Sequence, residues 1–166
     1  MSEEWTSFTK RIVVKAPMEK LYEAWTTQRE LEKWFLRSAE NTKPDGTIRD
    51  SKESFQTGDT FHWMWHGYPD SVFEKRAILD VNGEDYLKFM FTDTCPVEVK
   101  LEDLGDKGVM VELTQSNIPT DEASIKRLFV GCGEGWTFYL ANLKSIYEGG
   151  VDLRNKDEEL AGLINA

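Results

Sequence analysis

Two histidines, His62 and His66, stand four residues apart, the spacing at which a helix would bring two imidazoles to one metal. They sit in Phe61-His62-Trp63-Met64-Trp65-His66, an alternating run that reads as a strand. On a strand this spacing separates the Cα atoms by ~13 Å. The chain holds no third histidine, so no metal site is expected. Gly131-Cys132-Gly133-Glu134-Gly135 has the glycine density of a phosphate loop. Such a loop follows a strand and opens a helix, whereas this run lies inside a helical pattern. Glycine within a helix costs about 1 kcal/mol relative to alanine, so three glycines predict a bend or a close approach by backbone or ligand. The bend is expected to carry Trp136 inward. Nucleophilic and acid–base catalysis need partners within hydrogen-bond reach, and no Ser-His-Asp, Cys-His or paired-carboxylate pattern is readable. Asp93 and Glu134 are the acids nearest the aromatic wall described next, and solvated side chains are the plainer reading of both. Cys95 and Cys132 lack a neighbouring Cys or His and read as buried free thiols. No catalytic residue and no cofactor is expected.

Large rings dominate what remains, with six Trp and nine Phe. Phe61, Trp63 and Trp65 share one strand face by the two-residue period, and Phe89 and Phe91 do the same on a second strand. Trp34 lies on a short helix, and Trp136 and Leu140 on the apolar face of a long one. Trp34, Phe61, Trp63, Trp65, Phe89, Phe91, Trp136 and Leu140 are therefore the candidate lining of a cavity for a small hydrophobic ligand. A core filled by the same side chains is the alternative.

The elements that must position these rings follow from pattern. Phe8–Val14 is a β-branched strand, and Pro17 opens a helix to Thr26 whose Met18, Leu21, Tyr22 and Trp25 share one face. Thr27-Gln28-Arg29-Glu30 reads as a capping box for a second short helix carrying Leu31, Trp34 and Phe35. Asn41 to Ser54, with Pro44-Asp45-Gly46, is expected to be an exposed loop. Strands are expected at 60–65, 72–81, 86–92, 96–102 and 109–115, with Asn82-Gly83 as a hairpin turn. Adjacent short strands with tight turns imply an antiparallel meander, since parallel neighbours need long crossovers. From Ile125 to Tyr147 apolar residues keep helical spacing, with Thr120 as the expected cap and Gly149-Gly150 as the stop.

These blocks resemble the activator-of-Hsp90-ATPase-homologue branch of the START-like, Bet v 1-like superfamily over roughly residues 8–154. The carrying residues are Ile12 to Thr26, Leu31 to Phe35, Thr57 to Phe61, Leu87 to Thr92, Gly135-Trp136 and Asn142 to Lys144. The resemblance implies an α+β helix-grip fold: a curved antiparallel sheet of six to seven strands around a long C-terminal helix, with two short helices after the first strand. The chain length and the residue pattern imply a single domain over residues 1–150, followed by a polar tail over 151–166. A ligand cavity between sheet and helix is the family's usual binding place. The family's co-chaperone adds a separate Hsp90-binding domain, which these residues do not supply. A protein-interaction or stress-related module is the alternative to ligand binding, with a protein partner or homodimer, and a cyclase- or hydrolase-type enzyme is a third reading.

Composition narrows the partners further. Thirty acidic against twenty basic residues give a formal charge of −10, which repels phosphate backbones and anionic bilayers. Neither nucleic acid binding nor membrane insertion is expected, and the free thiols and acidic N-terminus point to the cytoplasm.

Overall fold

The computed structural model describes residues 3–92, 94–160 and 162–164. Seven strands form one antiparallel sheet, β1 (Phe8–Val14), β2 (Ser38–Thr42), β3 (Thr60–Met64), β4 (Phe73–Val81), β5 (Tyr86–Phe91), β6 (Cys95–Asp103) and β7 (Val109–Gln115). Their order is β1-β7-β6-β5-β4-β3-β2, so sequential hairpins run from β2 to β7 and only β1 is placed out of turn. Helices α1 (Met18–Thr26) and α2 (Gln28–Trp34) connect β1 to β2, and a long helix from Glu122 to Tyr147 follows the sheet. The expected helix-grip architecture is therefore what this chain adopts.

Burial follows the pleat. On β3, Phe61 and Trp63 are buried while their neighbours are half-exposed, and β5, β6 and β7 alternate in the same way. The inward residues of these strands meet Trp25, Trp34 and Phe35 from the short helices and Trp136, Leu140 and Leu143 from the long one in one main core, with Cys95, Ile118 and Leu128 in a small cluster beside it. Outward positions carry cross-strand pairs, including Arg11–Glu112 at 2.7 Å and Lys88–Glu98 at 3.4 Å.

Several local expectations are corrected. The segment from Asn41 to Ser54 is not wholly an exposed loop, because β2 ends in it and Asn41 is buried. The sequence Ser38-Ala39-Glu40-Asn41-Thr42 has little strand propensity; its pairing with β3, Ala39 opposite Trp63, decides its state. The rest of the segment is tethered where Arg49 grips buried Asp59 through two hydrogen bonds of 2.6 and 2.9 Å. The capping box forms by half: Thr27 Oγ1 accepts from the Glu30 N–H at 3.2 Å, but the Glu30 carboxylate turns to Lys33 Nζ at 2.7 Å and Tyr147 Oη at 2.6 Å. Asp121, rather than Thr120, caps the long helix by accepting from the Ser124 N–H.

The long helix is irregular just ahead of the glycine run: Ile125–Gly131 is π-helical, between α-helical Glu122–Ser124 and Cys132–Tyr147, and Gly133 and Gly135 lie in the regular part. Such π stretches are rare and recur at functional sites. Buried Gln115 braces this one, donating from Nε2 to the Leu128 carbonyl at 3.4 Å and accepting from Trp136 Nε1 at 3.0 Å. Gly149, at φ +84°, ends the helix. The residues beyond it fold back. Arg154 is buried and donates to the carbonyls of Leu36, Glu32 and Lys33, closing the free C-terminal end of α2.

Candidate functional site

The eight residues expected to line a cavity divide into two groups. Trp34, Phe61, Trp63, Phe89, Trp136 and Leu140 are buried in the core. Their rings stack or meet edge to face, Phe61 with Trp63 at 3.9 Å and Trp63 with Phe89 at 5.0 Å between centroids. Phe35 is the hub, in ring contact with Trp34, Trp63, Trp65, Trp136 and Tyr139. Trp65, just past β3, and Phe91, at the end of β5, are only partly buried. The space under the centre of the sheet is thus occupied by side chains, and the open volume lies at one end.

That opening is a groove of about 690 Å³ between the ends of β3 and β5, the start of β4 and the glycine-rich part of the long helix. Trp65, Tyr68, Phe73, Phe91, Phe138 and Tyr139 give it an aromatic wall. A smaller hollow of about 90 Å³, reaching Phe35 and Trp136, shares Trp65, Phe91, Cys132, Gly135 and Tyr139 with the groove. The volume is in the range of pockets that hold drug-sized molecules.

The helix side of the groove is partly backbone, for a reason visible in the sequence. Gly131, Cys132 and Gly135 face it, and a Cβ built on Gly135 would meet nothing within 4 Å. Gly133 points the other way, towards Lys10 on β1. Two of the three glycines therefore line the groove, while a Cβ at the third would meet only the end of the Lys10 side chain at 3.9 Å, an ordinary contact. Phe138 also reaches the groove although it lies off the apolar stripe of an uninterrupted α-helix.

Charged groups stay at the rim. Glu134 borders the groove but is exposed, and Glu74 and Arg127 lie beside it. Asp93 falls outside the described residues. Burial raises the pKa of the Cys132 thiol, with a hydrogen bond to Gln115 acting against it, so the thiolate needed of a nucleophile is disfavoured. His62 packs edge-on against Phe73 with ring centroids 4.9 Å apart. His66 lies near Arg37 and Arg154; its pKa is lowered, first by burial and then by these cations and Lys156. The described residues contain no cluster of three or more metal-ligating side chains and no helix long and apolar enough to cross a membrane.

Thr92, not singled out by pattern, is the unusual residue of the site. It borders the groove, is only 7% exposed, and adopts φ +54°. A β-branched residue in the left-handed region is a genuine outlier, costing about 1–3 kcal/mol. Its Oγ1 is buried and has no partner among the described residues, a second cost of about 1–3 kcal/mol. Asn117, the other non-glycine residue at positive φ, belongs to a type that tolerates it and donates to the Thr94 carbonyl at 2.8 Å.

With this geometry established, the relatives can be placed. The profile of the family described as Activator of Hsp90 ATPase homolog 1-like protein matches residues 15–148. The chain belongs to this family. Membership supports a ligand-binding or Hsp90 co-chaperone-like domain. Among solved structures, protein SSP2350 of Staphylococcus saprophyticus superposes with a TM-score of 0.68 at 21% identity, over 89% of this chain and 96% of that one. DynU16, described as a putative protein in the dynemicin biosynthetic locus, gives 0.67 at 18% identity over 91% of this chain and 50% of its own. The Aha1 dimer from Colwellia psychrerythraea gives 0.65 at 19% identity over 87% and 97%. At these identities the likeness is one of fold. No curated protein matches the chain.

Proposed function

We propose that this member of the Activator of Hsp90 ATPase homolog 1-like family binds a small, largely apolar molecule without transforming it. The carrying observation is the aromatic groove of about 690 Å³ whose helix side is kept open by Gly131 and Gly135. Apolar contact contributes roughly 25 cal/mol per Å² removed from water, enough to hold a ring-bearing ligand with few polar contacts. The acids and thiol at the rim supply no activated nucleophile or oriented base, which favours binding over hydrolysis or cyclisation. Native mass spectrometry of protein purified from its own host, followed by a Nile red titration, tests the reading. A retained small molecule, or a saturable one-to-one Nile red signal, is expected; absence of both contradicts it.

A second reading draws on the outer lip of the groove, where Tyr68, Val72 and Phe73 are exposed. These side chains would suit contact with a protein or a second copy, and one solved relative is described as a dimer. A concentration-dependent increase in mass that Phe73→Glu abolishes would favour it; a monomer at all concentrations and no captured partner would count against it.

A further inference from the structure

The chain beyond the long helix is pinned at its start and apolar near its tip. Arg154 is buried against the end of α2, and Lys156 pairs with Asp152 at 2.9 Å. A polar turn follows, in which the Asn155 side chain accepts from the Asp157 N–H at 3.1 Å and donates to the Leu160 carbonyl at 3.2 Å. Leu160 lies in a hollow with His66, Tyr68 and Lys156, and Ile164 lies on the rim of the aromatic groove, with Tyr68 common to both. Between them Gly162 adopts φ +72°, and a Cβ built there would meet nothing within 4 Å. Leu163 and Ile164 are 48% and 78% exposed. We infer that this tip, Gly162 to Ile164, is a lid that closes over an apolar molecule seated in the groove.

The inference rests on the groove-binding reading and supplies the cover that an open groove lacks. The groove keeps its volume of about 690 Å³ with Ile164 already at its edge, so the tip does not plug it. A molecule held between Trp65, Phe91 and Phe138 would still turn one face to water. Leu163 and Ile164 laid over that face would remove their own apolar surface and the ligand's from water together. Closing over an empty groove would bring the same side chains onto trapped water, which explains why they stand open here. The anchored stem confines the motion to the tip, so few torsions lose freedom on closure. Gly162 supplies the hinge, because its backbone can leave the left-handed region without a side chain to carry. Lids of this kind come from segments with little buried surface of their own.

Nile red is the probe, titrated into the full chain and into its Leu163→Ser and Ile164→Ser variants. Ile164 borders the open groove and Leu163 does not, so a fixed wall would feel only the first substitution and a closing lid feels both. Each variant is expected to bind Nile red about three- to tenfold more weakly than the wild-type chain, the worth of part of one apolar side chain's burial. The melting temperature of the free chain should not change, because both side chains are exposed in it. Saturating Nile red should also slow chymotrypsin cleavage after Leu163 in the wild-type chain, followed by intact mass. If Leu163→Ser binds as tightly as the wild-type chain, or cleavage after Leu163 is as fast with Nile red as without it, the lid is overturned and the groove reading stands. Tighter binding by either variant would make the tip an obstacle and overturns the lid as well. A lower melting temperature in the free variants would show the tip already packed and overturns closure on binding. If the wild-type chain shows no saturable Nile red signal, the groove reading fails and the lid with it.

Discussion

The two ends of the long helix are built to opposite rules. At its C-terminal end, polar groups are matched and rings interlock: Lys144 donates to the Val13 carbonyl at 2.7 Å, Asn142 to the Trp34 carbonyl at 2.8 Å, and Arg154 closes the end of α2. At its N-terminal end the helix loosens into a π stretch, glycines replace side chains, and Thr92 holds a strained backbone and an unpaired hydroxyl. Closed packing gives stability, and binding sites are drawn from the parts of a fold where stability is not maximised. On the proposed reading, the C-terminal end holds the grip together and the N-terminal end borders the groove offered to a ligand.

Substitutions should therefore separate by end. Trp136 is the ring between them, 2% exposed and in contact with Trp25, Phe35, Phe89 and Phe91. Trp136→Ala should cost on the order of 3–5 kcal/mol in urea denaturation, because the ring leaves a void and Gln115 Oε1 loses its donor. A loss below about 1 kcal/mol with weakened ligand binding would move Trp136 from core to cavity wall. Arg154→Ala should come next, at about 2–3 kcal/mol, since three carbonyls and Asp152 lose a charged donor. Nile red affinity, read at the other end, should not change.

The smallest effect belongs to acid. Burial opposes ionisation of Asp152, but hydrogen bonds from Arg154 and Lys156 outweigh it and hold the carboxyl well below its usual range. Glu30 is shifted the same way, with burial again opposed and outweighed by Lys33 and Tyr147. Folded-state values below the unfolded ones mean stability that is complete above about pH 4 and lost as pH falls through the folded-state range. Denaturation midpoints should drop below pH 4, with a shallower slope in Asp152→Asn. The difference is expected to be modest, because the Asp152 side chain keeps 26% exposure and solvent screens it. An unchanged slope would remove Asp152 from the matched end.

The sequence reveals the closed end better than the open one. Alternation of Phe61, Trp63, Phe89 and their neighbours is a local signal that burial then enforces, and all strands but β2 could be located from it. β2 escapes because Ser38–Thr42 is polar and its conformation comes from pairing with β3. Arg154 escapes because a buried cation looks like an ordinary tail residue until the carbonyls it caps are known. At the site, the glycine run announces close approach, but not which glycines line the groove; that depends on the π stretch, which resets the faces of the helix. Thr92 carries no pattern at all, since its unusual φ arises from how β5 leaves the sheet.

Gly135 offers the most direct measurement of the central claim, because a Cβ placed there meets nothing within 4 Å and the residue lines the groove. Gly135→Ala should raise stability by up to about 1 kcal/mol through helix propensity alone. In a Nile red titration, Gly135→Leu should stay folded, with an unchanged or higher melting temperature, and lose at least about tenfold in affinity as the leucine fills the groove. Equal, saturable Nile red binding by the wild-type chain and a folded Gly135→Leu variant would show that the ligand does not enter this groove.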